Sequence, residues 1–111
     1  DGVYGGIQIV PADWVQESQQ IYSENAWKIR VGSNWRDNGY GYQWWSVRAG
    51  DYRYHLAWGH GGQQIALLDE LDLMIVLLAD PLHLQHGDEP WRLEKGNLNL
   101  VADFVASLPG E

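Results

Sequence analysis

The spacing of hydrophobic and polar positions changes character along the chain. Ile7, Ile9 and Val10 form a brief apolar alternation after Gly2, Gly5 and Gly6, which predicts a loop running into a short extended piece. Pro11 suits the first position of a helix, and Asp13 lies where the helix dipole favours an acid. With Trp14, Val15 and Ser18 along one side, the spacing predicts a helix over residues 11–20. Residues 23–38 are polar and irregular, with Trp27, Ile29, Val31 and Trp35 as scattered anchors, and read as a long connection. From Gly39 the period becomes two. Tyr40, Tyr42 and Trp44 alternate with Gly41, Gln43 and Trp45, predicting a strand over residues 39–45. A turn follows at residues 49–51, then a second strand or its lead-in over residues 52–58. Two apolar runs, residues 63–68 and 71–79, meet at Asp69 and Glu70 and predict a β-hairpin. Residues 80–89 read as a polar loop. Asn97 or Asn99 can cap a last helix with Leu98, Val101, Val105 and Leu108 on one face, stopped by Pro109 and Gly110.

These elements predict an α+β chain, an antiparallel β-sheet of three strands flanked by helices. Ile65 to Leu68 and Leu73 to Ala79 are apolar at every position, so the hairpin calls for cover on both faces. Two helices of modest length are thin cover for both. Either they split between the faces, or self-association or a missing segment of a longer parent covers one. The 111 residues suffice for one small domain. A chain of this size buries only roughly 65% of the surface its unfolded form exposes.

Composition then narrows the function. Hydrophobic residues make up 45% of the chain, which argues against disorder. The net charge is −8, and seven Lys and Arg against fifteen Asp and Glu build no basic stripe, which speaks against a nucleic-acid partner. The absence of cysteine removes disulfides and thiolate metal sites. The longest apolar run, residues 73–79, is far short of a membrane span, and residues 1–10 do not resemble a signal peptide. Opening at Asp1 without Met hints at a processed or excised chain.

The chemistry-bearing candidate is Trp58-Gly59-His60-Gly61-Gly62-Gln63, at the start of an apolar strand. Glycines beside a histidine permit close approach of a ligand or of another backbone, and the second reading is a plain turn or bulge. His83 and His86 near Asp80, Asp88 and Glu89 offer nitrogen and oxygen metal ligands, but Pro81 and Gly87 favour a solvated loop. Asp69, Glu70 and Asp72 sit at a hairpin tip, which supplies no cleft for acid–base work. His55 reads as a partly buried strand residue. Trp44 and Trp45 face opposite ways, so at most one lines a cleft and one the core.

Residues 39–45 (Gly-Tyr-Gly-Tyr-Gln-Trp-Trp), then residues 59–63 (Gly-His-Gly-Gly-Gln), then the hairpin and a closing helix resemble, in order, the last third of the serine β-lactamase and penicillin-binding-protein family. The nearest branch is its class C-like esterases, amidases and D-amino-acid peptidases. Residues 5–15 also resemble the family's run into a helix. The resemblance implies that residues 1–111 are a single partial domain, the C-terminal portion of the β-lactamase/transpeptidase-like fold. It implies a small-molecule ester or amide substrate, hydrolysed in the parent protein through an acyl-serine without metal or cofactor. His60-Gly61-Gly62 matches the family's third motif, so His60 would face the substrate. Gly61 and Gly62 would let the substrate lie along the strand. The backbone N–H of Gln63 would be one oxyanion-hole donor.

The catalytic set is incomplete. Ser18, Ser23, Ser33, Ser46 and Ser107 are followed three places later by Ile21, Ala26, Arg36, Ala49 and Gly110, so no Ser-x-x-Lys exists. No Tyr has Asn or Ser two places on. The chain alone is expected to be inactive, with its nucleophile in a missing N-terminal segment. Two alternatives stand beside this: a non-catalytic homo-oligomeric binding module, for example a homodimer, and an aromatic-rich small-ligand-binding domain. Compartment stays open between exported (periplasmic) and cytoplasmic in a bacterium.

Overall fold

The computed structural model describes residues 1–25, 30–80, 82 and 86–110. A small hairpin of β1 (Val3–Tyr4) and β2 (Ile7–Gln8) leads into α1 (Ala12–Ser18), which buries no residue. The main sheet follows in strict sequence order: β3 (Ser23–Glu24), β4 (Arg36–Gly41), β5 (Trp44–Ala49), β6 (Tyr52–Trp58), β7 (Gln64–Leu68) and β8 (Leu73–Leu77). All neighbours are antiparallel. The chain closes with α2 (Glu89–Ser107). The α+β class and the antiparallel sheet agree with the sequence reading. Among the described residues no helix is long and apolar enough to cross a membrane.

Three boundaries differ from the sequence reading. The strand expected over residues 39–45 is two strands. Gly41 pairs with Trp44 across a turn at Tyr42 and Gln43, and Gln43 takes a left-handed φ of 68°. Aromatic residues on both limbs hid the reversal, because Tyr40 and Trp45 pair across the hairpin with rings 4.7 Å apart. The region expected to be irregular contributes β3 and the first half of β4, so among the described residues the sheet has six strands rather than three. Finally, α2 starts at Glu89, a full two turns before Asn97. Pro90 occupies its first turn, where the lost N–H costs nothing, and the Arg92 N–H donates to the Asp88 carbonyl at 3.0 Å.

One face of the sheet holds the core. Val47 and Ala49 on β5, Tyr52, Tyr54 and Leu56 on β6, and Ala66 and Leu68 on β7 meet Leu98, Val101, Ala102 and Val105 of α2. Burying one such side chain contributes about 1.5–3 kcal/mol. The helices therefore do not split between the faces, since α2 lies on one and α1 buries nothing. Toward β8 the opposite face is open, with Ile65, Met74 and Val76 between 43% and 62% exposed. β8 is also an edge strand, and residues 73–79 carry no charge or proline to blunt it.

Candidate functional site

Between β6 and β7 the chain makes a tight loop. The Gly62 N–H donates to the Gly59 carbonyl and the Gly59 N–H to the Gln63 carbonyl, both at 3.0 Å. Gly61 and Gly62 have φ of 101° and 88°, a conformation that L side chains rarely adopt. At Gly62 a Cβ would also stand 2.7 Å from Asn97 Cβ and 3.0 Å from the Glu94 carbonyl oxygen. The two glycines thus let the loop lie directly on α2.

The group that fastens it there is a carboxylate. Glu94 is 4% exposed on the buried stripe of α2. Its Oε1 accepts the Trp58 indole N–H at 2.9 Å, and its Oε2 accepts the Gly61 backbone N–H at 2.9 Å. Oε2 also lies 3.0 Å from His60 Nδ1. A buried carboxylate is costly unless its oxygens are filled, and here both are. Neighbouring amides complete the seam. Asn97 Nδ2 donates to the Gly61 carbonyl at 3.1 Å, while Gln64 Nε2 donates to the Gly62 and Asn97 carbonyls at 3.2 and 3.1 Å.

The four expected site residues are therefore held in one rigid loop, but they do not all face one space. Gln63 lines a groove of about 420 Å³, together with Trp58, Gly59, Ile65, Val76 and Leu78. His60, Gly61 and Gly62 are not among its walls. Gly61 and Gly62 are buried against α2, and the His60 side chain is 80% exposed. Gln63 itself precedes β7 instead of opening it. The walls of the groove are almost wholly apolar, so any polar recognition falls to the Gly59–Gln63 backbone and to the ends of Gln63 and Gln64. The Oε1 atoms of both glutamines are buried without a hydrogen-bond partner among the described residues.

The other candidates resolve simply. His55 is half-buried in β6, with Nδ1 unpartnered among the described residues, and burial lowers its pKa below the ordinary histidine value. Trp45 packs on the core, and Trp44 belongs to the other face of β5. Asp69, Glu70 and Leu71 form a 3₁₀ turn at the hairpin tip, closed by Asp72 at φ 49°. His83 lies outside the described residues, and among those described no three metal-binding side chains cluster. The described tryptophans do not form one platform, and Trp27 lies outside the described residues. Trp35, Trp45 and Trp58 pack together at 5.1–6.1 Å, while Trp14 joins Tyr42 and Tyr22 in a separate exposed stack.

Glu94 is the residue of the candidate site that sequence reasoning missed. Its signal was present, because the stripe of Leu98, Val101 and Val105 continued back by four residues lands on Glu94. An acid in phase with a buried face is a flag for a paired group, but it was invisible with the helix begun at Asn97. Compared with known proteins, the chain matches no family model, no curated protein and no solved structure.

Proposed function

We propose that this chain is the substrate-side part of a β-lactamase-like serine hydrolase, whose parent protein cleaves a small ester or amide through an acyl-serine. The observation that carries the reading is the Gly59–Gln63 loop: two left-handed glycines at the head of a sheet strand, fastened to a buried carboxylate, with Gln63 on the wall of a groove. In this reading the Gln63 backbone N–H is one oxyanion donor, and His60 stands on the substrate side. The attacking serine and its lysine come from further chain. The unblunted edge of β8 supports that part of the reading. So do the two apolar grooves flanking it, one walled by Ile65 and Val76 and the other by Leu73, Ile75, Leu100 and Phe104. Both are the kind of surface that a further strand and helix would cover.

The test is ester turnover and serine-directed fluorophosphonate labelling of the chain by itself, with the coding sequence ahead of Asp1 read alongside. The reading expects no turnover, no labelling and a Ser-x-x-Lys segment upstream. Robust turnover by the isolated chain, lost in His60→Ala, would overturn it.

A self-associating binding module is the second reading, favoured by the same open β8 edge. Size-exclusion chromatography with light scattering separates it from the first, since a monomer across the micromolar range leaves that edge without a second copy.

A further inference from the structure

The proposed site uses His60 but gives no reason for its ring to sit in one orientation. An imidazole that is 80% exposed would ordinarily sample rotamers and both neutral tautomers. The geometry around Glu94 removes that freedom. Oε1 is occupied by the Trp58 indole and Oε2 by the Gly61 N–H, so the carboxylate cannot turn without breaking one half-buried and one buried hydrogen bond. Gly61 is the next residue to His60, and its N–H and His60 Nδ1 converge on the same oxygen. A carboxylate oxygen accepts and cannot donate, so the 3.0 Å approach of Nδ1 to Oε2 favours a proton on Nδ1. A charge-assisted bond to a carboxylate is roughly twice as strong as one between neutral groups.

We infer that Glu94 is a positioning residue for His60: it keeps Nδ1 protonated in both charge states of the ring, so that Nε2 alone faces an incoming ligand and alone exchanges its proton. The neutral ring then offers a hydrogen-bond acceptor, suited to a hydroxyl or amide N–H of the substrate. The protonated ring offers a donor from the same atom, suited to a carbonyl or carboxylate. A histidine held in this way can relay one proton at one place without turning over. The trimmed chemistry around it fits, since Gly59, Gly61 and Gly62 place no side chain beside the ring. The inference rests on the proposed site for its purpose, but its physical content concerns His60 and Glu94 alone.

The experiment is nitrogen-15 NMR of the histidine rings, at a pH high enough for them to be neutral. It expects His60 as the Nδ1–H tautomer, with the exposed His86 as the internal reference for an unheld ring. In Glu94→Gln the charge is lost with little change in shape, and the His60 tautomer ratio is expected to move toward that of His86 by about fivefold. A purely structural Glu94 would leave the ratio unchanged. If Glu94→Gln does not fold, the parent chain decides alone, because a predominantly Nε2–H His60 overturns the inference without any variant. Neither result depends on hydrolysis, so a His60 held as described in a chain shown not to belong to a hydrolase would sink the functional reading and leave this one standing.

Discussion

The middle strands of the main sheet and its β8 edge carry similar side chains and meet very different surroundings. At β5 and β6, Val47, Tyr54 and Leu56 are fully buried against Leu98 and Val105 of α2. At β8, Met74 and Val76 are 62% and 54% exposed, and Leu78 just beyond is 86% exposed. The same contrast runs along α2, where Leu98 is covered and Leu100 and Phe104 are not. The middle of the sheet is a finished core, with the Glu94 carboxylate fastening the Gly59–Gln63 loop to α2. The β8 edge is an open apolar surface, and large exposed apolar patches of that kind mark sites of association. The difference teaches that full burial stops short of β8, so stability is concentrated in the middle strands while the edge is left open to association.

Substitutions should reproduce that contrast. Leu98→Ala, at the centre of the finished core, is expected to cost about 3–4 kcal/mol in denaturant unfolding, because the cavity it leaves is enclosed. A cost under about 1 kcal/mol would place the core elsewhere. Glu94→Ala is next, at about 2–3 kcal/mol, since it strands the Trp58 indole and the Gly61 N–H at once. Loss of structure confined to residues 58–63 in hydrogen exchange would mark it as the fastening described. Gly62→Ala should cost about 1–2 kcal/mol, from its φ of 88° and the 2.7 Å approach to Asn97 Cβ. Val76→Lys on the open face should change stability by less than about 0.5 kcal/mol while reducing aggregation in light scattering. A large destabilisation there would mean that something in the chain already covers β8.

The smallest effect is one of pH. Burial holds His55 below its ordinary value, with nearby Asp69 opposing and Arg53 assisting. The unfolded ring takes a proton as pH falls through about 6.5, and the folded ring resists it. Stability therefore is fully present above that value and declines below it, until the folded ring also protonates. In His55→Gln that part of the slope should vanish from unfolding curves taken between neutral and mildly acidic pH.

The residues that were legible in the sequence are those whose pattern is local. Residues 52–58 follow from the turn before them, and the hairpin from two apolar runs with a polar tip; both are present, the hairpin strands shorter at their ends than the runs of residues 63–68 and 71–79. The six-stranded extent was not legible, because β3 is two residues long and β4 carries a register shift between Arg36 and Gly39. Nor was the reversal at Gln43, where a left-handed glutamine stands in place of the usual Asn or Gly. At the site, the glycines and His60 announced a special loop, but the loop's anchor is 33 residues away from Gly61 on another element. Long-range hydrogen bonding of that kind leaves no periodic trace of its own. What it did leave, an acid in phase with a buried stripe, becomes readable only when the helix is begun in the right place.

We propose that this chain holds the carbonyl-binding side of an acyl-transfer site whose nucleophile lies on further chain. The most direct measurement is turnover of a chromogenic ester by the full product of the gene, with and without His60→Ala, beside the 111-residue chain alone. The account predicts activity in the full product, a fall of about 10²–10³-fold in His60→Ala, and none from the chain alone. A full product that neither turns over esters nor takes a fluorophosphonate would contradict it.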